Sequence, residues 1–184
     1  WEEILDNNGN SIEEKDIQKK MIFNKMAEKG YVKDCSEGKK LVKSDEWLSI
    51  KREKPDTVEV IHEVHRLGGI VIMAHPYLVS DYVEYQGKTI RRADFIDHLI
   101  YEGLDGIEAR YTYDKTSYKG SMTKEEIYRE IIERYKDRVP IISAGSDYHA
   151  DGKKGIKDPR DIGECGLTES EFWNNPILAK LAKR

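Results

Sequence analysis

Apolar positions in this chain follow two rhythms that alternate after residue 55. Val60, Ile61, Val64 and Leu67 recur at helical spacing, behind a cap at Asp56 or Thr57 and ahead of Gly68-Gly69. The run Ile70-Val-Ile-Met-Ala74 then reads as a buried strand. A long loop with Gly87 follows. Phe95, Ile96, Leu99 and Ile100 share one face of a helix expected over about 93–102, and Gly103-Leu-Asp-Gly106 turns into a strand over 106–110. Thr123-Lys-Glu-Glu126 is a capping box for a helix striped with Ile127, Tyr128, Ile131, Ile132 and Tyr135. Val139-Pro-Ile-Ile-Ser-Ala144 is a third apolar strand, and Ile162-Gly-Glu-Cys165 reads as a short final one. Thr168-Glu-Ser-Glu171 caps a last helix through Phe172, Trp173, Ile177 and Leu181, interrupted at Pro176. Strand and helix in alternation predict an α/β fold with a parallel sheet and crossover helices. Three firm strands supply part of a β/α barrel at most.

Residues 1–55 break this pattern. They are polar and rich in Lys and Glu, with no strand-like apolar run. Ser11-Ile-Glu-Glu14 reads as a capping box for a helix over about 12–28, with Gly30 as its stop. A second short helix is expected over 36–42. Trp47, Leu48 and Ile50 are candidates to dock the segment on the remainder. The expected organisation is a helical subdomain or insertion over 1–55 and a β/α portion over 56–184.

Composition narrows the class. Of 184 residues, 36% are charged and 38% apolar, a soluble globular balance. The net charge of −4 gives no overall attraction to nucleic acid. No apolar stretch reaches the ~18 residues that a membrane span requires. Cys35 and Cys165 are too few and too scattered for a disulfide scaffold, so both are read as thiols of a cytoplasmic protein.

Candidate chemistry gathers at strand ends. Asp147 and His149, in Gly145-Ser-Asp-Tyr-His149, stand two apart after the third strand, and residues two apart in extended chain point the same way. A carboxylate and an imidazole so placed can hold a divalent metal. An Asp-x-His is equally a polar turn in which Asp147 caps a backbone amide. His75 precedes Pro76 at the end of the first strand, and proline favours an extended residue before it. Its ordinary reading is a histidine bonded to a backbone carbonyl. Two strands that end alike favour metal more than either alone. Glu108 is a candidate to orient one of these histidines from behind, or a charge paired inside the sheet. Arg91, Arg92, Lys153 and Lys154 are candidate phosphate contacts, or solvated loop charges. His62, His65 and His98 read as surface histidines.

Ala74-His75-Pro76, Asp105-Gly-Ile-Glu108 and Gly145-Ser-Asp-Tyr-His149, in that order, resemble the later motifs of the PHP (polymerase and histidinol phosphatase) family, and within it the TrpH-like phosphoesterases. Met26-Ala-Glu-Lys-Gly-Tyr-Val32 resembles the helical insertion of that group. The resemblance covers about residues 20 to 167. It implies a distorted β/α barrel, divalent metal ions, hydrolysis of phosphate esters, and His75, Asp147 and His149 as metal ligands, a donor set that suits Zn, Mn or Fe. The family's earlier ligand motifs, beginning with His-x-His, have no counterpart here. Lys19-Lys20-Met21 stands where related insertions carry Arg-Pro-His, and Asp114-Lys115 where relatives have a histidine. The expectation is therefore the C-terminal portion of a metal-dependent phosphoesterase, with little activity alone. Its substrate would be a phosphate monoester, a nucleotide or an oligonucleotide end. The alternatives are a non-catalytic interaction domain with a degenerate metal site and a nucleic-acid-processing PHP domain.

Overall fold

The structure is a computed structural model of the chain and describes residues 2–7, 10–11, 13–45, 54–149 and 158–182. The chain divides into two compact units, Trp1–Lys54 and Pro55–Arg184.

The first unit holds α1 (Glu2–Leu5), an antiparallel pair β1 (Asp6–Asn7) and β2 (Asn10–Ser11), a 3-10 turn at Glu14–Asp16, α2 (Lys19–Glu28) and α3 (Cys35–Ser44). The expected helix start at Ser11 is not found. Ser11 lies opposite Asp6 in the β ladder, and α2 begins only after the extended Gln18. A capping box needs its first residue to lead straight into helical backbone, and here the hairpin takes that residue instead. Gly30 does end the helical segment, at φ 74. Asp34 caps α3 by accepting the Glu37 amide at 2.9 Å. The positions Trp47, Leu48 and Ile50 lie outside the described residues.

The second unit contains α4 (Thr57–Arg66), β3 (Ile72–Met73), a 3-10 turn at Pro76–Leu78, β4 (Tyr82–Tyr85), β5 (Lys88–Arg91), α5 (Arg92–Tyr101), β6 (Gly106–Arg110) and a 3-10 turn at Tyr113–Lys115. It continues through α6 (Lys124–Tyr135), β7 (Ile141–Ala144), α7 (Glu169–Asn174) and α8 (Pro176–Leu181). β3, β6 and β7 form a parallel sheet with β6 in the middle. Among the described residues this sheet has three strands and does not close into a barrel. Ile61, Ile107, Ile127, Ile131 and Ile141 are fully buried and make the floor of the core. The helical stripes of α4 and α6 are thus the faces that cover the sheet. Asp56 caps α4, and the Thr123–Glu126 and Thr168–Glu171 boxes are both formed. No helix among the described residues is long and apolar enough to cross a membrane.

Two local expectations are corrected. The loop around Gly87 is a β-hairpin, with β4 and β5 antiparallel across Gln86 and Gly87 at φ 48 and 75. Two successive residues at positive φ make the tight turn that suits strand twist, and glutamine in the first of these places hides the signal. Ile162–Cys165 is a turn, not a strand. The Glu164 carboxylate accepts the Asp161 amide at 3.0 Å and pairs with Lys115 at 2.7 Å, which curls the segment and leaves Ile162 exposed.

Arg110, on β6, ties α7 to the sheet through a bidentate pair with Glu171 at 2.6 and 2.9 Å. The Arg110 guanidinium, helped by the Thr168 amide and hydroxyl, holds the Glu171 carboxyl down at about 2. A depressed carboxyl contributes stability above its unfolded value near 4.5 and loses it as pH falls through about 2. Acid titration of unfolding stability should therefore show a loss in that window that Glu171→Gln removes. Glu171 is well exposed, so screening limits the effect to about 1 kcal/mol. Equal acid sensitivity in both proteins would contradict the assignment.

Candidate functional site

Parallel strands open their C-terminal ends on the same side, and the three ends here carry His75, Glu108 and the Gly145–His149 loop. β6 sets the frame because it is bonded on both sides. Ile72 lies opposite Gly106, and Gly106 opposite Ile141. Glu108, two residues on, lies opposite Ser143, and its side chain reaches the segment just after β3. Its Oε2 accepts the His75 amide at 2.7 Å. Burial raises the Glu108 carboxyl above its usual range, the His75 amide opposes this, and the charge of Asp147 adds to the rise. The Glu108 carboxyl thus feels the Asp147 charge beside the His75 imidazole.

His75 is not extended as Pro76 would favour. It adopts φ 32, ψ 60, a left-handed conformation. The hydrogen bond from the His75 amide to Glu108 and the Leu78 amide, which donates to the His75 carbonyl at 2.9 Å, fold the chain directly into the 3-10 turn. Left-handed backbone in a residue with a side chain is uncommon and concentrates at functional sites. The ring sits 5.1 Å from that of Tyr111. Its Nδ1 is buried with no hydrogen-bond partner among the described residues.

Asp147 also takes a left-handed conformation, at φ 54. The two-residue alternation expected between Asp147 and His149 is thus broken at its first member. His149 folds back, with Nδ1 2.6 Å from the Asp147 carbonyl oxygen and 3.5 Å from its Oδ1. Asp147 Oδ2 accepts the Tyr111 hydroxyl at 3.0 Å and Arg160 Nη1 at 3.0 Å. Burial, then the bond to Asp147, pushes the Tyr111 phenol up to about 12. Tyr111 thus links His75 to Asp147. Its ring packs on Tyr113, whose hydroxyl accepts the Tyr77 amide at 3.3 Å.

The other candidates fall elsewhere. Arg91 pairs with Asp94 one helical turn on, in solvent. Arg92 is mostly covered: it lies 4.1 Å above the Tyr77 ring, pairs with Asp81 at 2.8 Å and donates to the Val79 carbonyl. Both arginines are engaged in holding the hairpin and the start of α5. Lys153 and Lys154 lie outside the described residues. His62 and His65 pair with Glu102 and Asp105, at 3.4 and 2.7 Å. His98 is half-buried against the Tyr85 hydroxyl rather than a surface histidine.

Sequence reading missed Tyr111 altogether, and missed the bond that Arg160 makes to Asp147. Tyr111 follows directly on the Glu108 strand, and that proximity was the available signal. Arg160 stands with Lys153, Lys154 and Lys157 in the basic stretch after His149, and nothing in that stretch signals that it reaches Asp147. Among the described residues, no three His, Cys, Asp or Glu side chains are gathered closely enough to hold a metal ion. The orphaned His75 Nδ1 and the Asp147 carboxylate suit a metal in chemical type but do not by themselves complete a ligand set.

No family model matches the chain, and no curated protein matches it. Its fold resembles a solved structure from Bifidobacterium adolescentis described as a "putative metal-dependent phosphoesterase". The TM-score is 0.54 and the identity 18%, over 97% of this chain and 56% of that one. The chain therefore spans a little over half the length of that structure, and at this identity the likeness is one of fold.

Proposed function

We propose that the second unit carries part of the active centre of a metal-dependent phosphoesterase of the PHP type, with His75, Asp147 and His149 as metal ligands and Glu108 behind His75. The observation that supports this best is the His75 Nδ1 atom, buried and unpartnered beside Glu108 and Tyr111. A buried polar atom without a partner costs about 1–3 kcal/mol, and a bound cation would remove that cost. Left-handed backbone at both His75 and Asp147, and the resemblance in fold, point the same way. A divalent ion, when bound, supplies Lewis acidity toward a phosphoryl oxygen and a lowered pKa for water. The substrate class is a phosphate monoester, a nucleotide or an oligonucleotide end.

A second reading, a non-catalytic domain with a degenerate site, draws on two observations. No complete ligand set is assembled among the described residues, and Arg160 already neutralises Asp147.

Titration of the chain with Zn2+ or Mn2+, alongside hydrolysis of p-nitrophenyl phosphate, separates the two. The phosphoesterase reading expects weak binding of about one ion that His75→Ala lowers by at least the ~10–100-fold that loss of an outer partner costs. Turnover by this chain alone should be low. Metal binding indifferent to His75 and Asp147 substitutions would refute the ligand assignment.

A further inference from the structure

Asp147 already has a cation. Arg160 Nη1 lies 3.0 Å from Oδ2, and the arginine side chain is only 16% exposed. Oδ2 also accepts the Tyr111 hydroxyl at 3.0 Å. A carboxylate oxygen has two lone pairs, so the hydroxyl and the guanidinium together fill Oδ2. An arriving ion is left with Oδ1, which faces His149 Nδ1 at 3.5 Å. From there a divalent ion would sit a few ångströms from a guanidinium that stays charged at every accessible pH. Two cations on one carboxylate in a partly covered site repel each other strongly.

The same arginine has a task while no metal is bound. The charge of Asp147 helps to hold the Glu108 carboxyl up. A cation bonded to Asp147 offsets part of that charge. Arg160 supplies it and fixes the Asp147 carboxylate in place.

The geometry points to Arg160 as a built-in counter-cation that competes with divalent metal for Asp147, so that the centre loads only when metal outcompetes the guanidinium. This rests on the metal-centre reading above. It adds that the affinity of the centre is set in part by a residue that is not a ligand. The opposite role is equally concrete: an arginine that orients the carboxylate would strengthen metal binding.

The test is Mn2+ titration near neutral pH, following the free-ion spin resonance signal, with thermal unfolding in parallel. The proteins are the intact chain, Arg160→Gln, Arg160→Lys, Asp147→Asn and the Asp147→Asn/Arg160→Gln double variant. Competition expects Arg160→Gln to bind Mn2+ about tenfold more tightly, a gain of ~1.4 kcal/mol. Arg160→Lys, which keeps the charge without the planar fork, should fall between and guards against misfolding of the glutamine variant. Metal-free Arg160→Gln should melt lower than the parent, and Mn2+ should raise its midpoint more. In the Asp147→Asn background, removing Arg160 should change nothing.

Unchanged or weaker Mn2+ binding in Arg160→Gln would overturn the competition and leave the metal-centre reading standing. Absence of Mn2+ binding in every folded variant would overturn both.

Discussion

Gly106→Ala is expected to lower unfolding stability by about 2–3 kcal/mol, the upper part of the range for overpacking a tight interior. A Cβ at this position would lie 2.8 Å from the Ile141 carbonyl oxygen and 2.9 Å from the Ile141 Cβ. Neither atom can swing aside, because one belongs to the β7 backbone and the other is fixed to it. Relief requires β6 and β7 to separate at the register pair Gly106–Ile141. Removing a glycine also narrows the unfolded ensemble, which offsets up to about 1 kcal/mol. Urea unfolding is the measurement: the midpoint should fall with little change in slope. Gly87→Ala provides the contrast. Nothing lies within 4 Å of its added carbon, so only the left-handed backbone at φ 75 resists, at about 1 kcal/mol. Equal losses in the two variants would contradict the steric account.

Asp147→Ala should cost about 3 kcal/mol by two separable routes. The first is the loss of one acceptor shared by the nearly buried Tyr111 hydroxyl and the mostly covered Arg160. Unsatisfied donors of this kind cost about 1–3 kcal/mol. The second is a left-handed backbone that alanine resists by a further ~1 kcal/mol. Asp147→Gly loses the acceptor but not the backbone fit, so it should be about 1 kcal/mol more stable than the alanine variant. Asp147→Asn keeps an acceptor and tolerates the left-handed region, and should lose only about 1 kcal/mol. The order Asn, Gly, Ala in thermal melts is the diagnostic. An alanine variant as stable as the glycine one would mean that the strain at this position is negligible.

Much of the second unit was legible because its burial follows simple periods. Ile61 on α4, Ile127 and Ile131 on α6, and Ile107 and Ile141 on the strands all lie where the apolar rhythm put them. Helix ends were legible for the same reason: Asp56, Thr123 and Thr168 cap by local hydrogen bonds that need no tertiary context. The misses share a cause, competition between local signals and partners distant in sequence. Ser11 carries a valid capping signal, but pairing with Asp6 takes it into a ladder. His75 carries the bias of a residue before proline, but the carboxylate of Glu108, 33 positions away, draws its amide into a turn. Gln86 gives no turn signal because glutamine rarely adopts positive φ. At the candidate site, the motifs pointed to His75, Glu108, Asp147 and His149, but no periodicity could show that Arg160 reaches Asp147.

The placement of β6 has a consequence for how the molecule breathes. Its amides are bonded to neighbours on both flanks, and Ile107 and Ala109 have no exposed surface. In hydrogen–deuterium exchange, β6 should be the last segment of the second unit to take up label, near the limit set by global unfolding. The two-residue β3 should exchange well before it. Glu108 is therefore rooted in the part of the unit that opens least often, while His75 hangs from a segment that opens more readily. Their mutual geometry would be renewed each time β3 recloses against a partner that has not moved.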